Sequence, residues 1–187
     1  MRGSAIVGEW GSSADERAAT YPCDAFIDRP DGVVFRAVDV GAPAAVVFHW
    51  FCQLRAAPYS YDYLDNFGRR SPRLLTPGLD DLVVGQRFMT IFRLVAFETD
   101  RSITLDSTTA LFGRVATTYV VSPIDADRSR MVVKLSFAAP GGVLGWLVRH
   151  VLPTGDLVMM RKQLLTLRAL AERDARTAAI GQAETRS

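Results

Sequence analysis

Three phenols, two carboxylates and an amide crowd into the eight residues Tyr59-Ser60-Tyr61-Asp62-Tyr63-Leu64-Asp65-Asn66, directly after Pro58. Each of these polar tips needs a hydrogen-bond partner or water, so the run reads as a polar pocket wall or as a hydrogen-bonded corner. Asp62 and Asp65 could form a general acid/base pair beside the phenols, because apolar surroundings raise a carboxylate pKa towards neutrality. The same carboxylates could instead brace a helix start, where negative charge meets the positive end of the dipole. Helical spacing puts Tyr59 and Tyr63 on one face and sends Tyr61 elsewhere, so at most two of the phenols converge on one ligand.

Other chemistry-bearing residues are sparse. His49 and His150 are the only histidines, each at the edge of an apolar helical pattern and neither near a Cys or His at ligand spacing, so no metal site is expected. Cys23 and Cys52 make neither a disulfide framework nor a metal set, and Cys52 sits in an apolar helical pattern as a buried thiol. There is no Gly-x-Ser-x-Gly nucleophile motif, no Gly-x-Gly-x-x-Gly and no phosphate-loop Lys, so no cofactor is expected. Arg87, Arg93, Glu98, Asp106, Thr117 and Tyr119 are the strand residues that could add polarity to a cavity. Tyr119 is the best of them, although sheet alternation sends about half of such residues to solvent.

The chain of 187 residues suffices for one domain with a sizeable core, and 49% hydrophobic with 22% charged residues is a globular composition. A net charge of +2 is too small to make nucleic acid or an anionic membrane the main partner, and Arg69, Arg70 and Arg73 read as a solvated loop. The N-terminus lacks a signal pattern, and the uncharged stretches fall short of the ~20 apolar residues a membrane span needs. A cytoplasmic location is the default expectation. Oligomeric state is open.

The elements that must position these residues follow from periodicity. Residues 1–32 read as an N-terminal strap without a regular period, and Val33 to Val40 as a β-branched strand. Pro43 opens a helix to about Leu54, and a second short helix begins with the aromatic run. Gln86 to Glu98, Arg101 to Thr109, Arg114 to Val121 and Arg130 to Phe137 read as strands whose short connections favour an antiparallel meander. The segment Arg87 to Phe97 is apolar on both faces, which a bulge or a buried outer face would explain. A short apolar piece covers Val143 to Val151, and Pro153-Thr154-Gly155 interrupts it. Leu157, Met160, Leu164, Leu167 and Ala171 then form one stripe of a long amphipathic helix. Residues 33–173 make up the domain, and 174–187 read as a frayed, disordered tail. The resulting class is α+β, a curved antiparallel sheet wrapped around a long C-terminal helix with two short helices after the first strand.

Trp10-Gly11, Ala42-Pro43, Val47-Phe48-His49-Trp50-Phe51-Cys52-Gln53 and the run from Tyr59 to Asn66 together resemble the SRPBCC superfamily of START-like, helix-grip proteins. Within it the chain is similar to a bacterial polyketide cyclase/dehydrase-like branch, whose members read Tyr-Ser-Tyr-Asp-Trp-Leu-Asp-Asn at this run; Tyr63 stands here in place of the Trp. The resemblance extends from about Trp10 to Ala171 and implies a helix-grip fold with a cavity for a hydrophobic ligand. Two functional readings follow. In the first, the domain binds a small, mainly hydrophobic molecule, lipid-, polyketide- or aromatic-like, between sheet and C-terminal helix. Tyr59, Tyr63, Asn66, Tyr119, Met160 and Leu164 are then the expected ligand contacts. In the second, a cofactor-independent cyclase or dehydratase works on a polyketide-like substrate in the same cavity, with Asp62 and Tyr61 as its catalytic groups.

Overall fold

The computed structural model describes residues 6–60, 70–109 and 113–184. Its elements, in chain order, begin with β1 (Ile6–Trp10), α1 (Ala14–Ala18) and a short 3-10 turn, Pro22–Phe26. β2 (Gly32–Val40), α2 (Ala44–Cys52) and a second 3-10 turn, Gln53–Arg55, follow. The strands β3 (Arg87–Phe88), β4 (Phe92–Glu98), β5 (Ser102–Thr109), β6 (Gly113–Pro123) and β7 (Ser129–Ala138) lead to α3 (Gly142–Glu184). Among the described residues these strands form one seven-stranded sheet in the order β1-β2-β7-β6-β5-β4-β3. Every neighbouring pair is antiparallel except β1–β2, which is parallel. The fold is the α+β helix grip, with one parallel edge strand added by the N-terminal segment.

Alternation sorts the sheet residues onto two buried faces. Val34, Val38, Ile103, Leu105, Val115, Tyr119, Val133, Leu135 and Phe137 join α2 and α3 in the main core, on what is here termed the inner face. Phe35, Ala37, Ala116 and Val132 form a second cluster on the outer face with Tyr21, Cys23 and Ile27. Residues 21–27 of the apparently irregular N-terminal segment thus cover the outer face. Cys23 N–H donates to Thr118 Oγ1 at 3.0 Å, and the half-buried Asp24 carboxylate lies 2.6 Å from Lys134 Nζ. That ammonium also stands 5.3 Å from the centroid of the Tyr21 ring and 5.4 Å from that of Phe35. Burial raises the thiol pKa of Cys23 and pushes that of Cys52 to about 12, so both are unreactive core groups.

Three expectations from periodicity need correction. The segment Gln86 to Glu98 is a tight hairpin rather than one strand: Met89 and Thr90 turn it with φ of 43° and 68°, and Phe88 pairs with Phe92. A bulge between Leu94 and Ala96 then shifts the register, which is why apolar residues fall on both phases. Pro153 does not interrupt the C-terminal segment, which is helical without a break from Gly142 to Glu184. A proline removes one backbone donor, and continuation on both sides outweighs that single loss. The helix also continues past Asp174, with an exposed surface from Arg176 to Gly181, where the composition alone suggests a frayed tail.

One ionic node fastens the strap to the sheet. Arg130 of β7 grips Glu16 of α1 with two hydrogen bonds, Nε to Oε1 at 2.8 Å and NH2 to Oε2 at 3.0 Å. It also reaches Asp39 at 3.0 Å and the Gly11 carbonyl at 2.7 Å. Glu16 and Ser13 close a reciprocal capping box on the same short helix. The hydrogen bonds from Arg130 lower the Glu16 pKa below its ordinary value. Because the folded-state value is depressed, this carboxylate stabilises the fold above the unfolded pKa of about 4.3, and the stability is lost as pH falls through the folded value. Glu16→Gln should therefore be less stable than the native protein at neutral pH and converge with it below about pH 4. Urea midpoints measured from acid to neutral pH check this, and two parallel curves would count against it.

Candidate functional site

A polar bridge crosses the interior between β6 and α3. Gln163 lies on the buried stripe of α3 with Met160, Leu164 and Leu167, and is 5% exposed. The Tyr119 hydroxyl donates to Gln163 Oε1 at 2.8 Å and lies 3.7 Å from Met160 Sδ. In turn Gln163 Nε2 donates to the Pro58 carbonyl at 2.6 Å and stands 3.3 Å from Met89 Sδ. A single amide thus joins the central sheet, the β3–β4 turn, the entry to the aromatic run and the long helix. The backbone of α3 lies against β1, β2 and α2, so this amide spans the interior towards the central strands through side chains.

Around the bridge the walls are apolar and aromatic. Phe51 of α2 meets Tyr119 edge-on with centroids 5.6 Å apart, and Trp50 meets Tyr59 at 5.8 Å with the rings at 84°. Trp50 Nε1 donates to Asp174 Oδ2 at 3.0 Å, which ties α2 to the far part of α3. Tyr59 is 1% exposed yet has φ of 56°, a left-handed conformation unusual for an aromatic residue. It is therefore a turn residue rather than the first residue of a helix, and the packing of its ring against Trp50 holds it there. The helical face sharing expected of Tyr59 and Tyr63 does not apply at this end.

Of the residues singled out by sequence, Tyr59, Tyr119, Met160 and Leu164 are all buried in the same core cluster. Tyr61, Asp62, Tyr63, Asp65 and Asn66 lie outside the described residues, as do Arg69 and the side chain of His150. His49 sits at the surface, 3.7 Å from Asp80. Arg87, Arg93 and Glu98 are exposed, and Asp106 pairs with Arg114 at 3.4 Å on the outer face, so these four do not face the core. Thr117 does lie on the inner face, but its hydroxyl donates to the Lys134 carbonyl at 3.0 Å. Arg70 and Arg73 are exposed, in keeping with a solvated loop. Among the described residues no group of three His, Cys, Asp or Glu side chains could hold a metal, and no helix is long and apolar enough to cross a membrane.

Sequence reasoning missed interior polar residues, Gln163 and Arg36 among them. Gln163 interrupts the stripe Met160, Leu164, Leu167 at the buried phase, and one amide among leucines at spacings of three and four was the available signal. Arg36 is 1% exposed and shares the inner phase of β2 with Val34 and Val38; its NH1 donates to the Gly8 carbonyl at 3.0 Å and the Phe35 carbonyl at 2.7 Å. The pairing with β1 brings the Gly8 carbonyl within reach of that guanidinium.

The class of fold is settled by comparison with solved structures. The chain is similar to the Zhui aromatase/cyclase from a Streptomyces species, with a TM-score of 0.53 and 19% identity, over 78% of this chain and 96% of that one. A hypothetical protein of Helicobacter pylori aligns at TM-score 0.55 and 16% identity over 81% and 95% of the two chains. A Nitrosospira multiformis protein aligns at TM-score 0.50 and 14% identity over 77% and 99%. No protein-family profile and no curated protein sequence matches the chain. At these identities the likeness shows the fold alone, the α+β helix grip.

Gln163→Leu keeps the volume of the side chain while stripping the Tyr119 hydroxyl and the Pro58 carbonyl of their partner. It should destabilise the protein by about 2–4 kcal/mol, since two buried polar groups lose their match. Tyr119→Phe should cost less, and the double variant less than the sum of the two. Denaturant unfolding measures all three.

Proposed function

We propose that this protein binds a small, mainly hydrophobic molecule, lipid-, polyketide- or aromatic-like, between the inner face of the sheet and α3. The observation that carries the reading is the Tyr119–Gln163–Pro58 bridge set among Phe51, Leu105, Met160 and Leu164. A few convergent polar groups in an otherwise apolar interior are what orients a ligand in such a site. Tyr59, Tyr63, Asn66, Tyr119, Met160 and Leu164 would supply the ligand contacts. Binding of this kind requires no metal and no nucleotide.

A second reading is favoured by the fold shared with an aromatase/cyclase. In it the same interior holds a polyketide-like chain folded for cyclisation or dehydration. Positioning supplies most of the acceleration, and Asp62 and Tyr61 move the proton. No cofactor takes part in such a step.

Both readings meet in one set of measurements. A fluorescent naphthalene or fatty-acid probe should bind the native protein and be displaced by polyketide-like aromatics. If no probe binds and native mass spectrometry of protein from its own host shows no bound species, the ligand-binding proposal is wrong. Asp62→Asn preserves shape and removes both charge and proton transfer. For an enzyme it should lower turnover by about 100-fold or more with little change in affinity. For a binding module only affinity can respond. A fall in melting temperature with intact probe binding for both Asp62→Asn and Tyr61→Phe would identify the run as a structural brace.

A further inference from the structure

Several hydroxyls buried in this sheet are matched. Thr104 and Thr118 bond each other at 3.1 Å, Thr117 donates to the Lys134 carbonyl at 3.0 Å, and Ser129 donates to the Ala42 carbonyl at 2.8 Å. Ser107 of β5 differs. It is 5% exposed, and among the described residues its Oγ has no hydrogen-bond partner. An unmatched buried hydroxyl costs about 1–3 kcal/mol, so such a group in a native interior calls for an explanation.

Register shows where this hydroxyl stands. Ser107 alternates with Ile103 and Leu105, both core residues, which puts it on the inner face towards the helices. It pairs with Val115, and Val115 pairs with Phe137 on the next strand. On the other side the pairing of Asp106 with Arg93 brings Phe92 alongside. Val115, Phe137 and Phe92 all belong to, or pack on, the main core. The position is therefore an apolar row with one polar atom in it. Water is a poor occupant of such a row, because a buried water needs about two to four polar partners and these neighbours offer none from their side chains.

We propose that Ser107 is the hydrogen-bonding anchor for the oxygen of an otherwise apolar ligand, a phenol, enol or ketone on an aromatic or polyketide-like skeleton. The inference rests on the ligand-binding reading above and adds to it the polarity of the ligand and the strand that reads it. The apolar row accepts the skeleton, and the Oγ, free to donate or accept, matches one oxygen. A hydrocarbon of the same shape binds without that match. Specificity at this point arises because a site with an unmatched polar group gains most from the ligand that completes it.

The test uses two probes of nearly equal shape, 2-naphthol and 2-methylnaphthalene, titrated against the full chain and its Ser107→Ala and Ser107→Thr variants. Ser107→Ala should weaken 2-naphthol by about 10-fold, leave 2-methylnaphthalene unchanged, and hold or raise the melting temperature of the free protein. Ser107→Thr, which keeps a hydroxyl, should retain the preference for 2-naphthol. Equal affinity of native protein and Ser107→Ala for 2-naphthol would overturn the anchor while leaving ligand binding intact. So would an equal weakening of both probes accompanied by a lower melting temperature, which marks a packing role. Failure of the native protein to bind either probe would overturn the ligand-binding reading and the anchor with it.

Discussion

An antiparallel sheet that is apolar on both faces has to be covered twice, and most of this molecule is arranged to meet that demand. The inner face receives α2 and α3, and the outer face receives the segment around Tyr21, Cys23 and Ile27. Burial of this kind supplies the main favourable free energy of folding and is indifferent to direction. Direction comes from the few polar groups caught between the layers. On the outer side these are Lys134, Asp24 and Thr118; on the inner side they are Gln163, Tyr119 and Arg36.

The inner polar groups do more than hold register. Gln163 fixes the separation between α3 and the central strands, because its amide reaches Tyr119 and the Pro58 carbonyl at once. The adjoining turn is held in an unfavourable backbone conformation at Tyr59, and the rings of Trp50 and Tyr59 packed edge-on keep it there. Trp50 is itself tethered to Asp174 near the far part of α3. Helix, turn and sheet are therefore coupled at the point where the aromatic run departs.

The chemistry of the outer face is separate. Its cysteine is an inert core group, its lysine is matched, and the Arg130–Glu16 grip closes the lid from the edge. The N-terminal segment contributes stability to a sheet whose other face carries the candidate site.

Sequence alone determined the antiparallel meander and the amphipathic stripe of the last helix, because each is a local period set by side-chain alternation. It also marked Tyr59, Tyr119, Met160 and Leu164, which tertiary structure places in one cluster. It did not reveal the parallel edge strand, since β1 gains its partner from residues far along the chain. Nor did it reveal the lid: residues 19–31 have no period, and their burial depends on a face of the sheet that no window of sequence contains. The hairpin at Met89 and Thr90 and the bulge after Leu94 were hidden because backbone dihedrals, not composition, change the phase. Pro153 reads as a break in a local scan, yet helix on both sides carries the chain through it. Gln163, Arg36 and Ser107 were the hardest to see. A lone polar residue in an apolar pattern looks the same whether it meets a partner, a strand edge or nothing, and only packing decides which.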